Sequence, residues 1–172
     1  MKTNIHRPAG PRTIILLIIF VALAIAAALL YTLQASAQAR ERDAKRLSDL
    51  KVMRGVVERY NDINGSYPLP SNGSGTWSGH CPDYGDNDEF ITKVAPDYIV
   101  ELPKDPRFDT GSQCYLYNSN GTDYMIVANR AMESACGSDL GDPCNSDELQ
   151  AFDRPNDHSP SAAVYSPGAR DW

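Results

Sequence analysis

From Thr13 to Leu33 the chain reads TIILLIIFVALAIAAALLYTL, an apolar run without a single charge. No Gly or Pro interrupts the sequence between Pro11 and Gly55, so the run passes unbroken into a charged helical pattern. At ~1.5 Å per residue, the 21 residues of the run span roughly 31 Å, enough to cross the ~30 Å hydrocarbon core of a bilayer. This predicts a chain tethered to a membrane by a helix that continues past the lipid. Residues 1–12 form a basic leader, 13–33 the transmembrane part of the helix, and 34–64 a stalk that also covers the core.

Charge sets the expected orientation. Lys2, Arg7 and Arg12 precede the apolar run, and no acidic residue occurs before Glu41. Cytoplasmic flanks carry such an excess of Lys and Arg, which places the N-terminus inside and everything after Leu33 outside the cytoplasmic membrane. Arg40, Arg42, Lys45 and Arg46 weaken this asymmetry, but they alternate with Glu41, Asp43 and Asp49, and residues 34–39 are uncharged. A cleavable signal peptide is the rival reading, because Ala35-Ser36-Ala37 and Ala37-Gln38-Ala39 both offer the small-x-small pattern. The apolar run is longer than the ~7–15 residues of a usual signal core, which favours retention.

The chain carries 16 basic and 22 acidic residues. Without the three basic residues ahead of the run the balance is 13 to 22, a net of −9. That sign repels nucleic acid and anionic headgroups, so no nucleic-acid partner is expected. All four cysteines, Cys81, Cys114, Cys136 and Cys144, lie in the exported part, where an even number reads as two disulfides. Three pairings are formally open. The favoured one joins Cys136 to Cys144 across a short Gly/Asp/Pro loop and Cys81 to Cys114 between a long loop and a strand. A zinc site lacks both a Cys-x-x-Cys pair and a nearby His.

Beyond the membrane, Ala44, Leu47, Leu50, Met53, Val56 and Tyr60 recur at helical spacing and form one apolar stripe. It serves as a core-covering face and, at some heights, as a packing face for neighbouring copies. Glu41 with Lys45 and Arg54 with Glu58 stand at i,i+4 spacing on other faces. Gly65 and Pro68 stop the helix, which then runs for about 50 residues, or roughly 75 Å. Residues 71–85 read as a Gly/Ser/Asn-rich surface loop that contains His80. Residues 86–95 read as a short helix capped by Asp86 or Asp88, with Phe90, Ile91 and Val94 inward. A short extended piece covers Tyr98 to Leu102. The strongest strand signal is a hairpin, Gln113–Asn118 and Asp123–Asn129, joined through Ser119-Asn120-Gly121-Thr122. The head therefore spans 65–149, and 150–172 reads as a polar tail, extended or partly disordered by default, in which Trp172 is the residue able to dock back.

Several of these pieces occur in a familiar order. The apolar helix runs into Ala39-Arg40 and Asp43-Ala44-Lys45-Arg46-Leu47-Ser48-Asp49-Leu50-Lys51. Tyr60-Asn61-Asp62, Asn64-Gly65-Ser66-Tyr67-Pro68 and Leu102-Pro103-Lys104-Asp105-Pro106 follow, then a hairpin with Tyr115, Tyr117, Asn120-Gly121-Thr122 and Tyr124. Over roughly residues 13–129 the chain resembles the type IV pilin and type II secretion pseudopilin superfamily, near its major-pseudopilin type. The resemblance implies an α+β fold: a lollipop of one long transmembrane-plus-stalk helix packed by a small antiparallel sheet. It also implies lateral assembly, as a homo-oligomer or with other pilin-like subunits, through the N-terminal helix. Family precursors are cut after a Gly near the N-terminus; Gly10 stands in that place, followed here by Pro11. Ile15 occupies the position of the family's fifth-residue Glu. The resemblance further brings in calcium after the sheet, for which Asp139, Asp142 and Asp147 offer hard oxygen ligands beside the Cys136–Cys144 loop. Solvated acidic loops are the simpler reading, and no other cofactor is implied.

Catalytic signatures are absent. No Gly-x-Ser-x-Gly, His-Glu-x-x-His or phosphate-binding glycine loop occurs, and His6, His80 and His158 each read as solvated. Asn64, Asn72 and Asn120 each begin an Asn-Gly-Ser/Thr sequence that is equally a turn and a glycosylation acceptor. The first expectation is a structural subunit of an envelope filament or secretion apparatus. The alternative is an unprocessed, monomeric, membrane-anchored binding domain on the same fold, and an exported enzyme ranks last.

Overall fold

The computed structural model describes residues 10–108, 113–133, 150–152, 161–169 and 172. By its contacts the chain divides into two compact units, Met1–Gln38 and Ala39–Trp172.

One helix, α1 (Pro11–Asn64), supplies the described part of the first unit and opens the second. Pro11 takes the first helical position, where its missing N–H costs nothing, and the Gly10 carbonyl accepts from Thr13 N at 2.9 Å and Ile14 N at 3.2 Å. The helix passes through both small-x-small sequences without a break. It ends where Gly65 adopts φ +73° and donates its N–H to Asn61 O at 2.7 Å. That is a left-handed cap, the geometry for which glycine is suited.

The second unit contains a five-stranded sheet, wholly antiparallel, in the order β1-β2-β3-β5-β4. The strands are β1 (Ser78–Gly79), β2 (Cys114–Ser119), β3 (Tyr124–Asn129), β4 (Gln150–Phe152) and β5 (Ser161–Tyr165). Strands β2 and β3 form the expected hairpin, in register from Cys114 opposite Asn129 to Ser119 opposite Tyr124. Gly121 takes φ +89° in the turn. β1 crosses close to β2: a Cβ on Gly79 would lie 2.5 Å from Tyr115 O, so only glycine fits.

The sheet is covered on both faces, which is why β2 and β3 are buried along their whole length. On one face Tyr115, Tyr117, Tyr124, Ile126, Ala162 and Val164 pack with Leu50, Met53, Val56 and Val57 of α1. On the other, Cys114, Leu116, Met125, Val127 and Ala163 pack with Cys81 and Ala169, and with the half-buried Trp77, Tyr84, Tyr165 and Trp172. Alternate residues of each strand thus serve different cores, the period-2 logic of a pleated sheet.

Three expectations need correction. Residues 86–95 are not a helix. Asp86 and Lys93 have φ of +44° and +62°, and Ser71 N and Thr92 N bond across to Phe90 O and Leu69 O, each at 3.1 Å. The segment is a set of turns pinned beside residues 69–71. Phe90, Ile91 and Val94 are nonetheless buried, as their apolarity required. Residues 98–102 begin as a turn and bend rather than an extended piece, because Tyr98 N and Ile99 N both bond to Val94 O, at 2.8 and 3.3 Å. The tail is not wholly extended or loose: β5 lies between β3 and β4, and small residues (Ser161, Ala162, Ala163) conceal a buried strand under a polar average.

Candidate functional site

Two parts of α1 make up the candidate site. In the first unit, the side chains from Ile14 to Leu33 are exposed, from 48% for Ile14 to 73% for Tyr31. Thirteen of them are Leu, Ile, Phe or Val, and none is charged. This helix is long and apolar enough to cross a membrane. At about −0.3 to −0.6 kcal/mol for each such residue, the segment favours bilayer insertion by roughly 4–8 kcal/mol. Water offers no comparable cover for that surface.

In the second unit the inward face of α1 starts with charge and continues with hydrocarbon. Arg46 is fully buried. Its guanidinium donates through Nε to Asp105 Oδ2 at 2.6 Å, through Nη2 to Asp105 Oδ1 at 3.0 Å, and through Nη1 to Asp43 at 2.8 Å and Glu133 at 2.9 Å. Arg42 grips Glu133 with two bonds of 2.7 and 2.6 Å, and Arg107 reaches the same carboxylate at 3.2 Å. The Glu133 backbone N–H donates to Asp43 at 3.0 Å. Next along the helix, Asp49 pairs with Lys45 and accepts from Tyr115 Oη at 2.9 Å. The cluster therefore fastens the loop at Asp105, the segment after β3 and strand β2 to one stretch of α1.

Charge within the cluster is matched, and the titrations follow. Burial alone would lower the Arg46 pKa, but hydrogen bonds to Asp105, Glu133 and Asp43 outweigh it and the net shift is upward. The Arg42 hydrogen bonds lead in holding Glu133 down at about 2, against the desolvation that would raise it. Higher on the helix, Glu58 accepts from Tyr67 at 3.0 Å and Tyr124 at 2.8 Å, while Tyr117 donates to Pro68 O at 2.7 Å. Burial, then the neighbouring carboxylate of Glu58, pushes Tyr67 up to about 12.

The residues singled out from the sequence fall in several places. Leu50, Met53 and Val56 are in the core, Leu47 and Tyr60 are half-buried against it, and Ala44 stays exposed. Cys81 and Cys114 form a disulfide with a Cα–Cα distance of 5.8 Å. Gly10 and Pro11 start α1. Cys136, Cys144, Asp139, Asp142 and Asp147 lie outside the described residues. Among the described residues no three His, Cys, Asp or Glu side chains are grouped to hold a metal ion. The i,i+4 pairs differ from expectation: Lys45 pairs with Asp49 rather than Glu41, and Glu58 serves two tyrosines. His80 is not solvated. It is 2% exposed, its ring edge-on to Phe90 at 4.8 Å and Phe108 at 5.9 Å, and burial lowers its pKa.

Sequence reasoning passes over the polar cluster because charged residues are discounted when a core face is sought. The true inward line is Asp43, Arg46, Leu50, Met53, Val57 and Tyr60, at steps of three and four. Ranking by apolarity alone slides that line by one residue, onto Ala44 and Leu47. No protein-family model, curated protein or solved structure matches the chain.

Proposed function

We propose that this chain is a membrane-anchored, pilin-like (pseudopilin) structural subunit of an envelope filament or secretion apparatus. The observation that carries the reading is the division of labour along α1. From Ile14 to Leu33 it presents only uncharged, largely apolar surface, and its later part carries the face on which an antiparallel sheet packs. The residues that make up the family-like pattern support it by their contacts: Asp105 meets Arg46, Tyr115 meets Asp49, and Tyr67 and Tyr124 meet Glu58. Each ties a separate segment to the same helix. On this reading the apolar segment has two kinds of neighbour, lipid and the corresponding helix of other subunits. The N-terminus stays in the cytoplasm, and the sheet-bearing unit stands outside the membrane.

Single cysteines placed at Ile18 and Ile25, on one face of the helix, and at Phe20 and Leu23, on the other side, test assembly directly. Oxidative cross-linking in intact membranes is expected to yield dimers at positions on one helix face, and higher ladders when two faces carry cysteines. Monomer at every position contradicts the filament reading and favours the monomeric anchored binding domain.

A further inference from the structure

Three Asn-Gly-Ser/Thr sequences, ending in Ser at Asn64 and Asn72 and in Thr at Asn120, match the motif for N-linked carbohydrate, and all three asparagines are exposed. Their amide groups are not equivalent. Asn64 Nδ2 donates to Tyr60 O at 2.8 Å and Tyr98 Oη at 2.9 Å. Asn72 Nδ2 donates to Trp77 O at 2.9 Å and Tyr84 O at 3.1 Å. Asn120 is held the opposite way round. Its Oδ1 accepts the backbone N–H groups of Thr122 at 2.9 Å and Asp123 at 2.8 Å.

Backbone groups cannot exchange donor and acceptor roles, so these contacts fix which end of each amide faces the protein. At Asn64 and Asn72 the nitrogen is turned inward and engaged. At Asn120 the oxygen is engaged, and the nitrogen has no hydrogen-bond partner among the described residues. Thr122, whose hydroxyl completes the motif, is exposed beside it. The turn joins β2 to β3, with Gly121 at φ +89°; Gly75 N and Tyr67 N hold the flanking Ser119 O and Gly121 O, each at 2.8 Å, while the Asn120 side chain stays exposed.

We propose that Asn120 is the acceptor for N-linked glycosylation of the folded chain. The donor class is an oligosaccharide carried on a polyprenyl diphosphate, used by a membrane oligosaccharyltransferase. The Asn120 Nδ2–carbon bond forms at the anomeric centre and the carbon–oxygen bond to the diphosphate breaks. The diphosphate leaves with the electron pair, and an amide proton passes to a base of the transferase. At Asn64 and Asn72 two hydrogen bonds must open before the nitrogen is reached, which at their usual net strength disfavours each by about tenfold or more. Modification in the cell rests on the reading that this unit is exported.

The test uses the full-length chain in detergent, folded or urea-denatured and diluted. It is supplied with a purified oligosaccharyltransferase that requires only Asn-x-Ser/Thr and a polyprenyl-diphosphate oligosaccharide, and glycopeptides are read by mass spectrometry. The folded chain is expected to carry glycan at Asn120 at least about tenfold above the other two sites, and the denatured chain at all three. Asn120→Gln should abolish modification of the folded chain, whereas Asn64→Gln and Asn72→Gln should leave it. Glycan on Asn64 or Asn72 of the folded chain at comparable yield overturns the assignment, as does an unmodified folded chain beside a modified denatured one. Thiol labelling of a surface cysteine in whole cells reports export separately. A cytoplasmic head overturns the export reading, while the in vitro site pattern still decides the acceptor.

Discussion

Arg46 stands on the core line of α1 with no solvent exposure and meets carboxylates from three parts of the chain. Truncating one member of a buried ion cluster leaves the others uncompensated, typically at about 3–5 kcal/mol. We expect Arg46→Ala to lower the unfolding free energy of the full chain by that order in urea titrations. A loss under about 1 kcal/mol would mean the carboxylates find other partners. Glu133 adds a pH signature. Its pKa is about 2 in the folded state against an ordinary 4.5, so its stabilisation is fully present above pH 4.5. As pH falls from 4.5 through 2 the unfolded chain takes up the proton first, and that stabilisation is lost. Thermal melts should therefore steepen in their pH dependence across this window, and Glu133→Gln should flatten it. His80 shows the limit of reading residues singly: flanking Gly and Ser residues describe a loop, but Phe90 and Phe108, distant in sequence, bury the ring.

Elements differ in how plainly their sequence announces them. The helix was legible because apolarity, the lack of Gly and Pro, and the Gly65 cap all agree. The β2–β3 hairpin was legible because aromatic and branched residues flank a Gly-containing turn. The Arg46 cluster and β5 were not, since the first hides in charge and the second in small residues whose burial depends on partners distant in the chain. Two consequences follow. Phe20→Arg with Leu23→Arg costs about 3 kcal/mol per charge at mid-membrane depth, matching the whole insertion tendency of the segment. The double variant is expected to leave the membrane pellet after carbonate extraction; quantitative retention would contradict a lipid-embedded α1. Deleting residues 161–172 strips β3 of the four pairings from Met125–Tyr165 to Ala128–Ala162 and removes Val164 from the core. The truncated chain should lose its cooperative melt and near-UV circular dichroism, and a retained sharp transition would show β5 to be dispensable.

At the scale of the molecule, the described residues of one unit are a helix with an apolar surface from Ile14 to Leu33, and the other unit is a sheet-bearing body that holds both aromatic cores and a disulfide. The central proposal is that α1 stays continuous, with its apolar part in lipid and the sheet outside the cytoplasmic membrane. Protease treatment of spheroplasts, followed by intact-mass analysis of the carbonate-washed membranes, addresses it most directly. The expected result is a membrane-retained chain that still contains residues 13–33, with the sheet-bearing unit digested from the outer side. A soluble product beginning near Gln38 or Arg40, or a sheet protected until the membrane is opened, would contradict it.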